Sequence, residues 1–264
     1  MSQSPGYVEN LFVYPIKGLS PQPLREVTLR TGQGFPGDRE FALARPEGRY
    51  RPGMAEPLPK TEFFMLAKDA SLAGVTTSFD PSSGLLRVGR QGREVLSADL
   101  RSEAGRAEVT RFFAGVLDRA PQRAPVFAHA EGRRFTDVSV RSEAMMNAVS
   151  IINLASVRDL RDRIGQPVHP LRFRANIYVE GLPPWVERDL VGEEIRIGEL
   201  TLRVVVGIKR CAATAVDPDT ARRDLNVPKL LTREYGHLEC GVYAEVVSGG
   251  TLRPKDGVLL PPTS

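Results

Sequence analysis

The sequence predicts a mainly β fold with a few helices (α+β), arranged as a barrel or sandwich and not as a parallel sheet. Three observations predict it. Short runs rich in β-branched and aromatic residues, several of them alternating, recur through the first and last thirds of the chain. Turn clusters such as Gly32-Gln33-Gly34, Asp80-Pro81-Ser82-Ser83-Gly84 and Gln91-Gly92 separate these runs. Helical periodicity is confined to two stretches.

In chain order, Tyr7–Tyr14 reads as a strand ended by Pro15. Leu24–Arg30 reads as a second, with Leu24, Glu26 and Thr28 on one face and Arg25, Val27 and Leu29 on the other. Residues 40–44, 74–79, 85–88 and 94–99 supply further short strands. Val109, Phe112, Phe113, Val116 and Leu117 then recur at helical spacing. Pro121, Pro125 and Gly132 mark 120–134 as a linker, which places an N-terminal β-rich domain at 1–121 and a second domain at 122–264. Val157, Leu160 and Ile164 predict another helix, capped by Ser156 and closed by Gly165. Strands are expected again at 172–180, 194–197, 200–206, 242–247 and 257–260, with turns at Gly198-Glu199 and Gly249-Gly250.

With 264 residues, 41% of them hydrophobic, the chain can bury a sizeable core without disulfides or a structural metal. Its net charge of +4 comes from scattered arginines with no concentrated basic stripe. That pattern argues against a nucleic-acid binder and for a solvated surface with a few arginines facing an anionic small ligand. Two cysteines, Cys211 and Cys240, cannot build a disulfide framework, and Met1–Gly6 lacks a signal pattern. No run reaches the roughly 18 apolar residues of a membrane span. The expectation is a cytoplasmic protein that works without nucleic acid or membrane.

Several motifs carry no chemistry. Gly32–Gly37 has the G-x-G-x-x-G spacing, but Pro36 and the strand pattern at 40–44 replace the helix that a dinucleotide site needs, so it reads as a loop. His129, His169 and His237 lie too far apart for a metal-ligand pattern. No G-x-S-x-G elbow and no phosphate loop is present. Cys211 stands out. A lone cysteine in a β-rich chain is usually a small buried hydrophobe. This one ends an alternating strand beside Lys209 and Arg210, which would lower its pKa if they point at it, and a polar loop, 214–220, follows. That suits a soft metal ligand, but the residues themselves name no metal.

The run Arg210-Cys211-Ala212-Ala213-Thr214-Ala215-Val216-Asp217-Pro218-Asp219-Thr220 resembles the cysteine motif of the MOSC family. Further landmarks follow the family's order: Tyr14-Pro15-Ile16-Lys17, Gly37-Asp38-Arg39-Glu40-Phe41, Phe173-Arg174-Ala175-Asn176-Ile177, Trp185-Val186-Glu187 with Ile195-Arg196-Ile197-Gly198, and Gly241-Val242-Tyr243 with Gly250–Asp256. The resemblance implies a MOSC-type β-barrel beside an N-terminal β-rich domain, similar to the mitochondrial amidoxime-reducing component. It implies a molybdenum–pterin cofactor (molybdopterin) with Cys211 on the metal. Lys17 and Arg39 would hold the pterin phosphate, Ser139 falls on a cofactor-binding hydroxyl position after Asp137, and Arg174 with Asn176 would contact the pterin.

The activity implied is reduction of small N-hydroxylated substrates. Asp217 is a candidate proton relay, although its main expected role is to cap or brace the loop. No four-cysteine ferredoxin-like segment follows, so electrons are expected from a separate donor protein of flavin, iron–sulfur or haem type. The alternative is a stand-alone cofactor- or sulfur-carrier module using Cys211, and a third option is a scaffold that has lost its cofactor. Three departures stand out. Gly18 takes the place of a common Ser, Ala221 that of a Gly after the D-P-x-T turn, and Arg51 is left as the stand-in for an unclear T-x-R stretch.

Overall fold

A computed structural model describes residues 6–54, 56–117 and 123–262. The first half holds β1 (Gly6–Val13), β2 (Gln22–Leu24), β3 (Val27–Leu29), β4 (Phe41–Ala44), β5 (Thr76–Asp80), β6 (Leu85–Arg90), β7 (Arg93–Asp99), helix α1 (Glu103–Ala114) and β8 (Val126–His129). The second half runs α2 (Glu143–Met146), β9 (Val149–Asn153), α3 (Leu154–Ile164), β10 (Ile177–Glu180), α4 (Val186–Asp189), β11 (Glu194–Ile197), β12 (Leu200–Lys209), α5 (Val227–Tyr235), β13 (Glu239–Ser248), β14 (Gly250–Leu252) and β15 (Gly257–Leu259).

Seven strands close into a barrel in the order β1, β10, β9, β13, β12, β11, β15, because β1 pairs with both β10 and β15. Closure leaves no open edge between them. The interior is aliphatic, with Leu11, Ile197, Leu202 and Val242 essentially without exposure. Each such side chain contributes about 1.5–3 kcal/mol by leaving water. Outside the barrel, α3 and α5 cover Tyr178 and Cys240 with Leu160 and Leu231.

The N-terminal part is a three-stranded meander, β5-β6-β7, covered by α1. Val109 and Phe113 of the helix are buried in one cluster with Leu86 and Val88. Ser102 caps α1 by accepting from the Gly105 N–H at 3.0 Å. The two parts are stitched together. β1 belongs to the barrel, β3 pairs with β14, and β4 pairs with β8. The 121/122 boundary itself lies outside the described residues.

The elements differ from the pattern reading in instructive places. Leu24–Arg30 is not one strand: Leu24 pairs with Leu11, whereas Val27 pairs with Leu252, so the chain changes partners at Arg25-Glu26. The linker at 120–134 contains β8. Residues 172–180 begin as a 3₁₀ turn (Pro170–Phe173), and only Ile177–Glu180 is strand. Asn153, not Ser156, caps α3, while Gly165 closes it in a left-handed conformation at φ 65°. Ser156 is buried and its hydroxyl donates to Glu187. β9 and α5 were not legible, since β9 is buried throughout and shows no alternation.

Candidate active site

Two separate motifs meet at the end of β1. The Arg39 N–H donates to the Tyr14 carbonyl at 2.7 Å and the Lys17 N–H to the Phe41 carbonyl at 2.8 Å. Asp38 is the buried hub. Its Oδ1 accepts from the Tyr14 N–H at 2.9 Å and from Asn176 Nδ2 at 3.0 Å, and its Oδ2 pairs with Arg39. Asn176 in turn accepts on Oδ1 from the Ser150 hydroxyl at 2.7 Å and donates to the Phe12 carbonyl at 3.2 Å. Its amide is fully engaged within the protein. Asp38–Asn176–Ser150 therefore ties the entry segment to β9 and β10.

From this hub the cations project into one cavity of about 320 Å³. Lys17, Arg39, Arg174, Asn176 and Cys211 all line it. Arg39 and Arg174 both hold left-handed backbone angles, φ 51° and 52°. Their guanidinium carbons lie over the Tyr14 ring at 4.8 Å and 4.4 Å. Arg174 donates to the Leu19 carbonyl at 2.7 Å and has no carboxylate partner among the described residues.

Cys211 follows β12 and opens the 3₁₀ turn Ala212–Ala215; it is partly exposed and faces the cavity. Arg172, almost fully buried, holds this turn. It donates to the Ala215 carbonyl at 3.2 Å and to Asp217 and Asp224 at 2.7 Å each. Arg210 donates to the carbonyls of Cys240 and Phe173, so its guanidinium is held by backbone. The basic partner at the thiol is instead Lys60, from the distant N-terminal part. Burial works against its charge, but Asp137 and Cys211 more than offset this and raise its pKa. Lys60 Nζ lies 3.1 Å from Asp137 Oδ2. Asp137 also pairs with Lys17; desolvation opposes its charge, yet the two ammonium groups hold its carboxyl well below the usual range. For Lys17 burial prevails, and its pKa is lowered. Cys240 is sealed in the core, where burial pushes its thiol up to about 12.

Two expected site residues do not reach the cavity. The Ser139 hydroxyl donates to the Thr136 carbonyl at 3.0 Å and lines a smaller neighbouring pocket. Asp217 accepts from the Thr220 N–H at 2.8 Å inside its own loop and from Arg172 of the 3₁₀ turn Pro170–Phe173. Arg51 turns to the carbonyls of Gly48 and Tyr50. Lys60 and Arg172 escaped the sequence reading; a lysine in Pro59-Lys60-Thr61 carries no local pattern, and Arg172 is only a neighbour of the Phe173–Asn176 motif.

These features define a closed-barrel β protein with a basic, thiol-bearing cavity. The chain belongs to the MOSC family: residues 5–122 match the MOSC N-terminal beta barrel domain, and residues 137–259 match the MOSC domain. It is 24% identical to human mitochondrial amidoxime-reducing component 1 over 98% of this chain and 84% of that protein. It is 28% identical to the molybdenum cofactor sulfurase of Caenorhabditis elegans over 87% of this chain but 31% of that protein. Among solved structures, the YUAD protein of Bacillus subtilis aligns with 12% identity and a TM-score of 0.42, over 97% of this chain and 94% of that one. No helix among the described residues is long and apolar enough to cross a membrane.

Proposed function

We propose that this chain binds a molybdenum–pterin cofactor with Cys211 as metal ligand and reduces the N–O bond of small N-hydroxylated compounds, using electrons from a separate donor protein. The observation that carries this reading is the Cys211 thiol facing one cavity with Lys17, Arg39 and Arg174. The likeness to amidoxime-reducing components, over nearly the whole chain, supports it.

The donor set fits such a group. Among the described residues, no three His, Cys, Asp or Glu side chains converge to hold a metal ion. A metal at Cys211 would therefore take its remaining ligands from a cofactor, and dithiolene sulfurs match a soft thiolate. Among the described residues the Arg174 side chain donates only to the Leu19 carbonyl, which leaves most of its five N–H donors for a phosphate dianion, and Arg39, whose two Nη groups already hold Asp38 and the Arg174 carbonyl, adds charge beside it. Lys17 adds a point charge beside them. When bound, the cofactor would supply a two-electron redox centre. Cys211 would anchor it, and Arg172 fixes the turn that aims the sulfur. The net change takes up two electrons and two protons, breaks N–O and releases the oxygen as water. Asp217 serves here as the brace of the loop, held by Arg172 and Thr220, and not as a proton relay.

A second reading, a cofactor- or sulfur-carrier module, draws on the likeness to molybdenum cofactor sulfurase. One experiment separates the two. Molybdenum and pterin are measured in protein from a molybdenum-competent host, wild type against Cys211→Ala, together with benzamidoxime reduction by a chemical electron donor. Stoichiometric metal and pterin in the wild type, metal loss in the variant, and reduction by the wild type alone are expected. Loaded protein that leaves benzamidoxime intact would sink the reductase, and a persulfide on Cys211 without pterin would favour the carrier.

A further inference from the structure

Among the described residues, eight basic side chains line the cavity, whereas the carboxylates that touch them are four, Asp38, Asp137, Asp217 and Asp224. The excess of four positive charges is one more than a phosphate dianion and one thiolate balance. Its distribution matters more than its size. The inner cations all have partners: Lys17 and Lys60 share Asp137, Arg39 holds Asp38, Arg172 holds two loop aspartates, and Arg174 and Arg210 donate to backbone carbonyls. Two members of the set have none. Arg141 and Lys209 line the same cavity from its exposed rim, and among the described residues neither side chain has a hydrogen bond, ion pair or ring contact. They come from different places, Arg141 just before α2 and Lys209 at the end of β12, two residues before Cys211.

Unpaired cations at the mouth of a pocket attract anions from solution and stabilise them once water is displaced. We infer that the substrate carries a negatively charged group, a carboxylate or its equivalent, which Arg141 and Lys209 hold at the rim while its reacting end points at Cys211. The inference rests on the reductase reading for the identity of that reacting end. It rests on the rim alone for the charge. Arg141 offers a planar fork that suits a carboxylate, and Lys209 a mobile point charge. Both residues hold the fold through backbone alone, Lys209 paired with Glu239 and Arg141 donating its N–H to the Val138 carbonyl.

The test measures binding apart from turnover. Cofactor-loaded protein is titrated calorimetrically with 4-carboxybenzamidoxime and with neutral benzamidoxime, at low and high salt, for the wild type and for the double variant Arg141→Gln, Lys209→Gln. The carboxylated compound is expected to bind about tenfold tighter than the neutral one, as two solvent-facing charge contacts allow. High salt and the double variant should each erase most of that preference. Equal affinities, no binding of the carboxylated compound, or a preference that survives the double variant would overturn the inference and leave the rim cations to an acidic protein partner. Turnover is followed in parallel. Binding with the expected preference but without reduction sinks the reductase reading and leaves the rim assignment standing, whereas reduction without preference does the reverse.

Discussion

Arg39 donates from Nη2 to the backbone carbonyl of Arg174 at 3.0 Å, joining residues 135 positions apart at the floor of the cavity. Both residues hold left-handed backbone angles, a conformation that costs a non-glycine residue about 1–2 kcal/mol. Such strain persists where the surroundings fix it, here Asp38 on one side and the Leu19 carbonyl on the other.

Replacing Arg39 tests whether its geometry or only its charge matters. Arg39→Lys keeps the charge but cannot reach both Asp38 and the Arg174 carbonyl through one planar fork. Molybdenum and pterin content should fall several-fold in Arg39→Lys and further in Arg39→Ala. Stability in urea should drop by about 1–3 kcal/mol in Arg39→Ala, because buried Asp38 loses its counter-charge. Full cofactor content in the lysine variant would show that a point charge suffices.

Asn176 lines the cavity, yet its amide is engaged by Asp38, Phe12 and Ser150. Asn176→Ala should therefore act first on folding, with a loss of about 2–4 kcal/mol in urea denaturation as several buried polar groups lose partners. Asn176→Asp should cost at least as much, since it sets a second carboxylate against Asp38. A variant that keeps wild-type stability but loses the cofactor would instead assign Asn176 to direct pterin contact.

How much of this was legible depends on how the residues are connected. The motifs at Tyr14–Lys17, Gly37–Phe41, Phe173–Asn176 and Cys211 are contiguous, so their residues could be read in place, and five of the seven expected site residues line one cavity. Lys60 and Arg172 could not be read that way. Lys60 meets Asp137 across 77 positions, and Arg172 meets Asp217 and Asp224 across 45 and 52. Pairings of that kind arise only when the chain closes. Ser139 lies outside that cavity for a related reason: its position follows Asp137 in sequence, but its hydroxyl donates to the Thr136 carbonyl. The split at Arg25-Glu26 is invisible to an alternating pattern, which records the face of a residue and not its partner strand.

Asp137 supplies a pH signature. Lys17 and Lys60 depress its pKa in the folded chain, so its contribution to stability is fully present above the unfolded value of about 4 and is lost as pH falls through the lower folded value. The stability difference between wild type and Asp137→Asn should therefore be constant from neutral pH down to about 5 and shrink progressively on further acidification. Urea midpoints for both proteins across that range provide the measurement. A difference that stays the same through the acid range would mean that the carboxylate contributes no net charge pairing.

Ala221 occupies the place of a common glycine, and its φ of 57° explains why glycine suits the position. Its N–H donates to the Asp217 carbonyl at 2.9 Å, closing the loop that Arg172 holds behind Cys211. Alanine there carries a left-handed cost of about 1–2 kcal/mol. Glycine removes it but adds freedom to the unfolded chain, a penalty of about 0.4–1 kcal/mol. The first effect is the larger, so Ala221→Gly should stabilise the protein by about 0.5–1 kcal/mol and raise Tm by roughly 1–4 °C. Ala221→Val should destabilise it, because a β-branched side chain tolerates positive φ least. If calorimetry ranked valine above glycine, the loop would have to adopt another backbone in solution, and the alignment of the Cys211 turn with the cavity would fail with it.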